Sequence, residues 1–133
     1  ITYGHNNRSA QFRLPQNRYC IENRAADMTR NVYLALSMTL SAAVEGIKNK
    51  IHPGKPTDQY LYNMTDSEFK KLGIKRLPKN LLMALEALKN DKMSDEVIGS
   101  VMKKSLLAYK NDEWERYHQA VTDWEVKEYL RLY

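Results

Sequence analysis

Ser9-Ala10-Gln11-Phe12-Arg13-Leu14, then Pro15-Gln16-Asn17, then Arg18-Tyr19-Cys20-Ile21-Glu22-Asn23-Arg24-Ala25 is the stretch from which the fold can be read. In residues 9–14 polar and apolar side chains alternate, the two-residue period of a half-buried strand. Ala10, Phe12 and Leu14 are expected inward, with Ser9, Gln11 and Arg13 on the other face. Pro15-Gln16-Asn17 reads as a turn. Residues 18–25 read as a second strand, with Tyr19, Ile21, Asn23 and Ala25 on one face and Arg18, Cys20, Glu22 and Arg24 on the other. So short a connection favours an antiparallel pair, and its polar face gathers Arg13, Glu22 and Arg24.

The rest of the chain reads as helix. Asp27 or Thr29 is positioned to cap a helix running to about Lys50, with Lys48 and Lys50 in its last turn. Val32, Tyr33, Leu34, Leu36, Met38, Leu40, Val44 and Ile47 place apolar groups nearly all round it, which predicts a helix buried at the centre of its domain. His52-Pro53-Gly54 ends it, and residues 52–62 read as loop. Thr65-Asp66-Ser67-Glu68 is a capping box for a short helix closed by Gly73. Pro78 is expected to open another helix, with Leu81, Leu82, Leu85 and Leu88 at helical spacing. Ser94 is expected to cap a helix that begins near Asp95 and runs to about Ala120. Thr122-Asp123-Trp124-Glu125 is a second capping box, for a last helix ending in Tyr129, Leu130 and Tyr133. The fold class is therefore α+β and mostly α-helical: a short antiparallel β pair at the N-terminus, then a helical bundle.

Composition fits that class. The chain has 133 residues, 43% hydrophobic and 28% charged, which excludes disorder and predicts one domain with a real core. The single Cys20 excludes an internal disulfide framework and a cysteine-rich zinc site, and it fits a reducing, cytoplasmic setting. The longest nearly apolar run is thirteen residues, 32–44, short of the ~20 a membrane span needs, so no membrane partner is expected. The chain opens Ile1-Thr2-Tyr3 with neither an initiator Met nor a charged-then-apolar leader, so no signal peptide is expected and a trimmed or partial chain is.

The formal charge is +5, unevenly laid out: +3 over residues 1–30, +4 over 31–90 and −2 over 91–133. All five bases in residues 1–30 are arginine: Arg8, Arg13, Arg18, Arg24 and Arg30. Arg offers a planar fork that matches carboxylate or phosphate, whereas Lys is a hydrated point charge. Two readings of Arg8, Arg13, Glu22 and Arg24 stand side by side. One is a cross-strand ion-pair cluster contributing about 0–1 kcal/mol. The other is a site for a highly charged phosphate, with guanidiniums neutralising a transferring phosphoryl group and the carboxylate holding its metal. His5, His52 and His118 lack metal-ligand spacing; His5 reads as a ligand contact or a loop residue, and Tyr60 and Tyr62 as packing or exposed modification sites. Asn63-Met64-Thr65 matches a glycosylation sequon without any sign of secretion. The run Lys70, Lys71, Lys75, Arg76 and Lys79 has no interleaved stacking aromatics and reads as a solvated face, so no nucleic-acid partner is expected.

In order and spacing the chain resembles the C-terminal part of the glutamine synthetase catalytic domain, nearly end to end. Asn7-Arg8-Ser9-Ala10 with Arg13-Leu14-Pro15 is similar to the family's Asn-Arg-Ser and Arg-Ile-Pro segment. Ile21-Glu22-Asn23-Arg24 with Asp27 resembles its Glu-x-Arg and Asp segment, and Asn31-Val32-Tyr33-Leu34-Ala35 its Asn-Pro-Tyr-Leu-Ala stretch. Gly46-Ile47, Ile51-His52-Pro53-Gly54, Leu77-Pro78, Leu85-Glu86-Ala87-Leu88 and Val121-Thr122-Asp123-Trp124-Glu125 follow in family order. Val32 and Ala26 replace prolines, and Cys20 stands where some members have a nucleotide-contacting base, a contact that Arg18 could supply instead. Tyr62 falls near a tyrosine that some bacterial members adenylylate, in a different local context.

The resemblance implies an ATP-dependent ligase joining glutamate to ammonia through γ-glutamyl phosphate. In it Glu22 would ligate Mg²⁺ or Mn²⁺, Arg8 contact the transferring phosphoryl, Arg13 hold nucleotide phosphates and Arg24 contact glutamate and the acyl phosphate. Sister ligases of the family use an alkylamine or polyamine. The family's N-terminal β-grasp domain and further barrel strands, with most metal carboxylates and a catalytic histidine, are not in residues 1–133, so the isolated chain is expected to be inactive. Full-length members form homo-oligomeric rings. A non-catalytic, anion-binding helical module is the reading from a different class.

Overall fold

The computed structural model describes residues 1–132. Its elements are β1 (Tyr3–His5), β2 (Phe12–Leu14), β3 (Glu22–Asn23), α1 (Val32–Lys48), α2 (Asp66–Lys71), α3 (Leu81–Asn90), α4 (Lys92–Val97), α5 (Ser100–Gln119) and α6 (Asp123–Tyr129). The chain divides into two compact units, Ile1–Leu77 and Pro78–Tyr133.

In the first unit the expected antiparallel pair is present but shorter than its pattern. β2 and β3 pair with Phe12 opposite Asn23 and Arg13 opposite Glu22. The sheet has a third strand that the alternation does not announce: β1 lies parallel to β2, with Tyr3 opposite Phe12 and His5 opposite Leu14. Parallel neighbours usually need a long crossover. Here each strand is three residues, so the six residues between them, reaching at most about 20 Å, suffice to return the chain. Asn6 makes the first bend with φ +51, a left-handed conformation that Asn tolerates better than most residues. The segment at Thr57 covers the outer edge of β1 through Thr57 N–H to the Tyr3 carbonyl, 2.8 Å. Gly4 is required by that approach, because a Cβ there would sit 2.3 Å from the Thr57 carbonyl oxygen.

Helix α1 starts later than expected. Asn31, not Asp27 or Thr29, is its cap, accepting from the N–H groups of Tyr33 (3.0 Å) and Leu34 (3.2 Å). Asp27 instead closes a turn on the Thr29 N–H at 2.7 Å. The helix ends at Lys48, and Lys50 lies beyond it with φ +49. The expectation that α1 is buried is corrected: none of its residues is, and Val32, Tyr33, Leu36, Leu40, Val44 and Ile47 are all 47–83% exposed. An all-round apolar pattern states that a helix needs cover, not that the described chain supplies it. The core expected from chain length is small among the described residues: Ala10, Leu61 and Leu85 are its buried apolar side chains.

The two capping boxes form as read. Thr65 caps α2 with Glu68, and Thr122 caps α6 with Glu125. Gly73 closes the α2 segment with φ +66. Tyr133, expected at the end of the last helix, lies outside the described residues. Helix α3 opens at Leu81 rather than at Pro78, and Asn80 caps it, accepting from the Met83 N–H at 2.9 Å. The single long helix expected after Ser94 is two. Asp91 caps α4, and Gly99, with φ +80, breaks the run before α5. Ser94 is fully buried inside α4, its hydroxyl donating to the Asp91 carbonyl at 2.7 Å. Lys103, also buried, reaches across from α5 to the Asp91 carbonyl (2.7 Å) and the Asp95 carboxylate (2.9 Å).

The caps make stability acid-sensitive. Bonds from the Thr65 hydroxyl and backbone hold the Glu68 carboxyl below its ordinary value, and those from Thr122, backbone first, do the same for Glu125. A carboxyl depressed in the folded state contributes stability above its unfolded pKa and loses it as pH falls through the folded one. Unfolding midpoints are therefore expected to fall below about pH 4.3, and Glu68→Gln with Glu125→Gln to flatten that slope. Denaturant titrations at pH 3–7 read it directly.

Candidate functional site

The sheet places a carboxylate directly across from a guanidinium. Because Arg13 and Glu22 are register partners, their side chains leave the same face. Arg13 Nη1 donates to both Glu22 oxygens, at 2.9 and 3.0 Å. Arg18, from the connection between β2 and β3, donates to the same Glu22 Oε1. Arg13 is also steadied by its Nη2 bond to Asn6 Oδ1, 3.1 Å, which in turn accepts from the Gln16 N–H at 3.2 Å. The Arg13 bonds first, then those from Arg18, hold the Glu22 carboxyl below its ordinary value, so it is anionic at neutral pH. Arg13 Nε and Gln11 Oε1 are buried on this face without partners among the described residues.

Arg8 and Arg24 form the adjoining part. The Arg24 N–H donates to the Gln11 carbonyl at 2.8 Å, extending the ladder by one residue past β3. Its Nε donates to the Arg8 carbonyl at 2.9 Å, and the Tyr62 hydroxyl donates to the same oxygen at 3.2 Å. The contact thus runs to the Arg8 backbone; the Arg8 side chain is exposed. The structure brings Arg13 and Glu22 together, ties Arg24 to the Arg8 loop and adds Arg18 as a second ligand of Glu22.

Asn7 is the residue that sequence reading did not single out. It is 9% exposed and uses both ends of its amide. Nδ2 donates to the carbonyls of Thr57 (2.7 Å) and Gln59 (2.8 Å), while Oδ1 accepts from the Ser9 N–H (2.9 Å) and hydroxyl (2.6 Å). Ser9 Oγ then accepts from the Leu61 N–H at 2.9 Å. This network fixes the loop carrying Arg8 against residues 57–61. The signal was available: two asparagines directly follow His5, where the strand must turn. Asn7→Asp should lower unfolding free energy by about 2–4 kcal/mol at pH 7, because it sets a carboxylate against two carbonyl oxygens. Chemical denaturation measures it.

The other candidates have local partners. His5 sits at the end of β1, its N–H on Asp58 Oδ1 (2.7 Å) and its Nδ1 3.4 Å from Oδ2. His52 accepts from the Gly54 N–H at 3.1 Å, and His118 stacks on Trp114. In the basic run Arg76 pairs with Asp66 at 2.9 Å and lies over the Phe69 ring. Among the described residues no group of three His, Cys, Asp or Glu could hold a metal ion, and no helix is long and apolar enough to cross a membrane. Glu22 offers hard oxygen, the donor that Mg²⁺ and Mn²⁺ prefer. It fits one ligand of a metal site and not a whole one.

Fold and face together define an α+β, mainly helical segment with one densely charged sheet face. Comparison with known proteins assigns it. The family model described as glutamine synthetase, catalytic domain, matches residues 1–129. A glutamine synthetase from Methanococcus maripaludis is 36% identical over 135 residues, covering 99% of this chain and 30% of that protein. A glutamate–methylamine ligase from Methyloversatilis universalis is 38% identical over 133 residues, covering 100% of this chain and 29% of its own. A solved structure described as apo GmaS without ligand superposes with a TM-score of 0.82 at 32% identity, over 98% of this chain and 30% of that one. The chain belongs to the glutamine synthetase catalytic-domain family. It spans about 30% of the length of these relatives.

Proposed function

We propose that the chain is the C-terminal part of the catalytic domain of a longer, cytoplasmic ligase that forms glutamine from glutamate, ammonia and ATP and assembles as homo-oligomeric rings. The observation that carries this reading is the face on which Arg13, Arg18 and Glu22 meet beside Arg24. In the first step the γ-carboxylate oxygen of glutamate bonds to the terminal phosphorus as its bond to the nucleotide breaks. Two unit negative charges 4 Å apart repel by about 4 kcal/mol at an effective dielectric of 20, so neutralisation dominates the barrier. Arg8 would lower it at the transferring phosphoryl, Arg13 at the nucleotide phosphates and Arg24 at glutamate and the acyl phosphate. Glu22 would supply one carboxylate to a divalent cation that screens the same oxygens. In the second step the ammonia nitrogen bonds to the γ-carbon and phosphate leaves.

The exposed apolar side of α1 supports the reading that this segment works inside a longer protein, where further chain would cover it. Assayed alone, residues 1–133 are expected to give no glutamate-dependent phosphate release, since one carboxylate cannot assemble a metal site. Turnover by the isolated chain would refute this.

A second reading, a glutamate–alkylamine ligase, is favoured by the methylamine-ligase relative and the GmaS superposition. Phosphate release by the complete gene product with glutamate, ATP and Mg²⁺, compared across ammonia, methylamine and putrescine, separates the two. The fastest amine identifies the acceptor; release with none of them overturns both.

A further inference from the structure

We propose that the cleft between the end of α2 and residues 74–76 is a docking site for an acidic segment of another protein, one that carries an apolar side chain between carboxylates. The inference uses none of the residues assigned to ligation and stands apart from that reading.

The cleft follows from the way α2 stops. Gly73 takes φ +66, which lets the chain close a Schellman turn. The Ile74 N–H donates to the Phe69 carbonyl at 3.0 Å, and the Gly73 N–H donates to the Lys70 carbonyl at 3.1 Å. The turn brings Phe69 and Ile74, both half-buried, to one cleft of about 390 Å³ that Lys70, Lys75 and Arg76 also line. Arg76 is held in place: it pairs with Asp66 at 2.9 Å, donates to the Met64 carbonyl at 3.3 Å and lies 4.2 Å from the centre of the Phe69 ring. The backbone nitrogen of Ile1 donates to the Lys75 carbonyl and fixes that side as well. The cleft is thus formed before anything enters it, as binding sites usually are.

Charge decides what the cleft takes. The nearby acids are already used: Asp66 pairs with Arg76, and the Glu68 carboxylate accepts from the Thr65 N–H and hydroxyl. Lys70 and Lys75 are exposed and in no ion pair among the described residues. Lys70 lies in the last turn of α2, where a cation suits the helix dipole, but Lys75 lies outside any helix and has no such reason to be basic. An apolar floor with unpaired ammonium groups at its rim complements an apolar side chain flanked by carboxylates. Nucleic acid fits less well, because Arg76 already occupies the Phe69 ring on which a base would stack. A lipid surface fits less well too, because Phe69 and Ile74 are recessed rather than projecting.

The test uses the complete gene product and a fluorescein-labelled synthetic peptide with one leucine among aspartates and glutamates, followed by fluorescence anisotropy at physiological salt. The peptide should bind, and exchanging its leucine for serine should weaken binding about tenfold, the loss of one buried apolar side chain. That exchange tests the floor without altering the protein. Lys70→Glu with Lys75→Glu should weaken binding by more than about tenfold. Lys71→Glu with Lys104→Glu, an equal charge change at residues that do not line the cleft, should weaken it by less than about threefold. Circular dichroism checks that both double variants remain folded. Equal binding of the leucine and serine peptides, or equal losses in the two double variants, would mean diffuse attraction to a basic surface and overturns the proposal. No binding to the unaltered protein overturns it as well, since the cleft is then closed or filled by chain outside residues 1–133. Tighter binding of a single-stranded oligonucleotide or of anionic lipid vesicles than of the leucine peptide, lost in the Lys70→Glu, Lys75→Glu variant, overturns the choice of an acidic protein segment.

Discussion

Glu22→Gln in the complete gene product is expected to lower kcat/KM for ligation by at least about 100-fold while leaving secondary structure and thermal midpoint nearly unchanged. The substitution keeps the shape of the side chain and removes one charge. A neutral amide can still accept from Arg13, so the β2–β3 ladder is retained. What it cannot do is bind a divalent cation as a carboxylate does. The competing account, in which Glu22 is only the centre of an ion-pair cluster, predicts the reverse pattern: a stability change up to about 1 kcal/mol with activity preserved. Steady-state kinetics and circular dichroism on the same preparation separate the two.

Arg24→Ala should cost about 100- to 1,000-fold in kcat/KM, the loss seen when one preorganised donor to a developing anion is removed. The geometry gives Arg24 two duties. Its Nε donates to the Arg8 carbonyl, and the exposed guanidinium keeps further N–H donors that, on the proposed reading, would bind the anion. Arg24→Lys, which keeps charge but cannot provide both, should recover only part of the activity. The Tyr62 hydroxyl makes only the anchoring bond to that carbonyl, so Tyr62→Phe isolates that duty. A Tyr62→Phe loss as large as that of Arg24→Ala would show that Arg24 acts through loop order rather than charge.

Much of this site could be read from the residues. Alternation on either side of Pro15 placed Arg13 and Glu22 on one face, and the observed register makes them direct partners. The capping boxes at Thr65 and Thr122 were legible because a cap is a local, four-residue interaction. Three features were not legible, each for a physical reason. β1 has three residues and a central Gly4, too short for a periodic signal, and its pairing is fixed by Asn6 and Thr57 rather than by its own pattern. The helix after Ser94 breaks because Gly99 takes a left-handed conformation, while its neighbours would suit a helix either way. The burial of α1 depends on what packs against it, and hydrophobic periodicity carries no information about whether that surface lies within the same 133 residues. Arg18 reads as the first residue of the second strand but lies in the connection before β3, and its hold on Glu22 depends on the path of that turn, which alternation does not specify.

The most direct test of the account follows one oxygen atom. The complete gene product is given glutamate labelled with ¹⁸O in its γ-carboxylate, together with ATP, Mg²⁺ and the preferred amine, and the released phosphate is analysed by mass. If the γ-carboxylate takes the phosphoryl group and the amine then displaces phosphate, each phosphate released carries one oxygen from glutamate. Unlabelled phosphate would mean that water, not glutamate, receives the phosphoryl group, and would contradict the ligase reading.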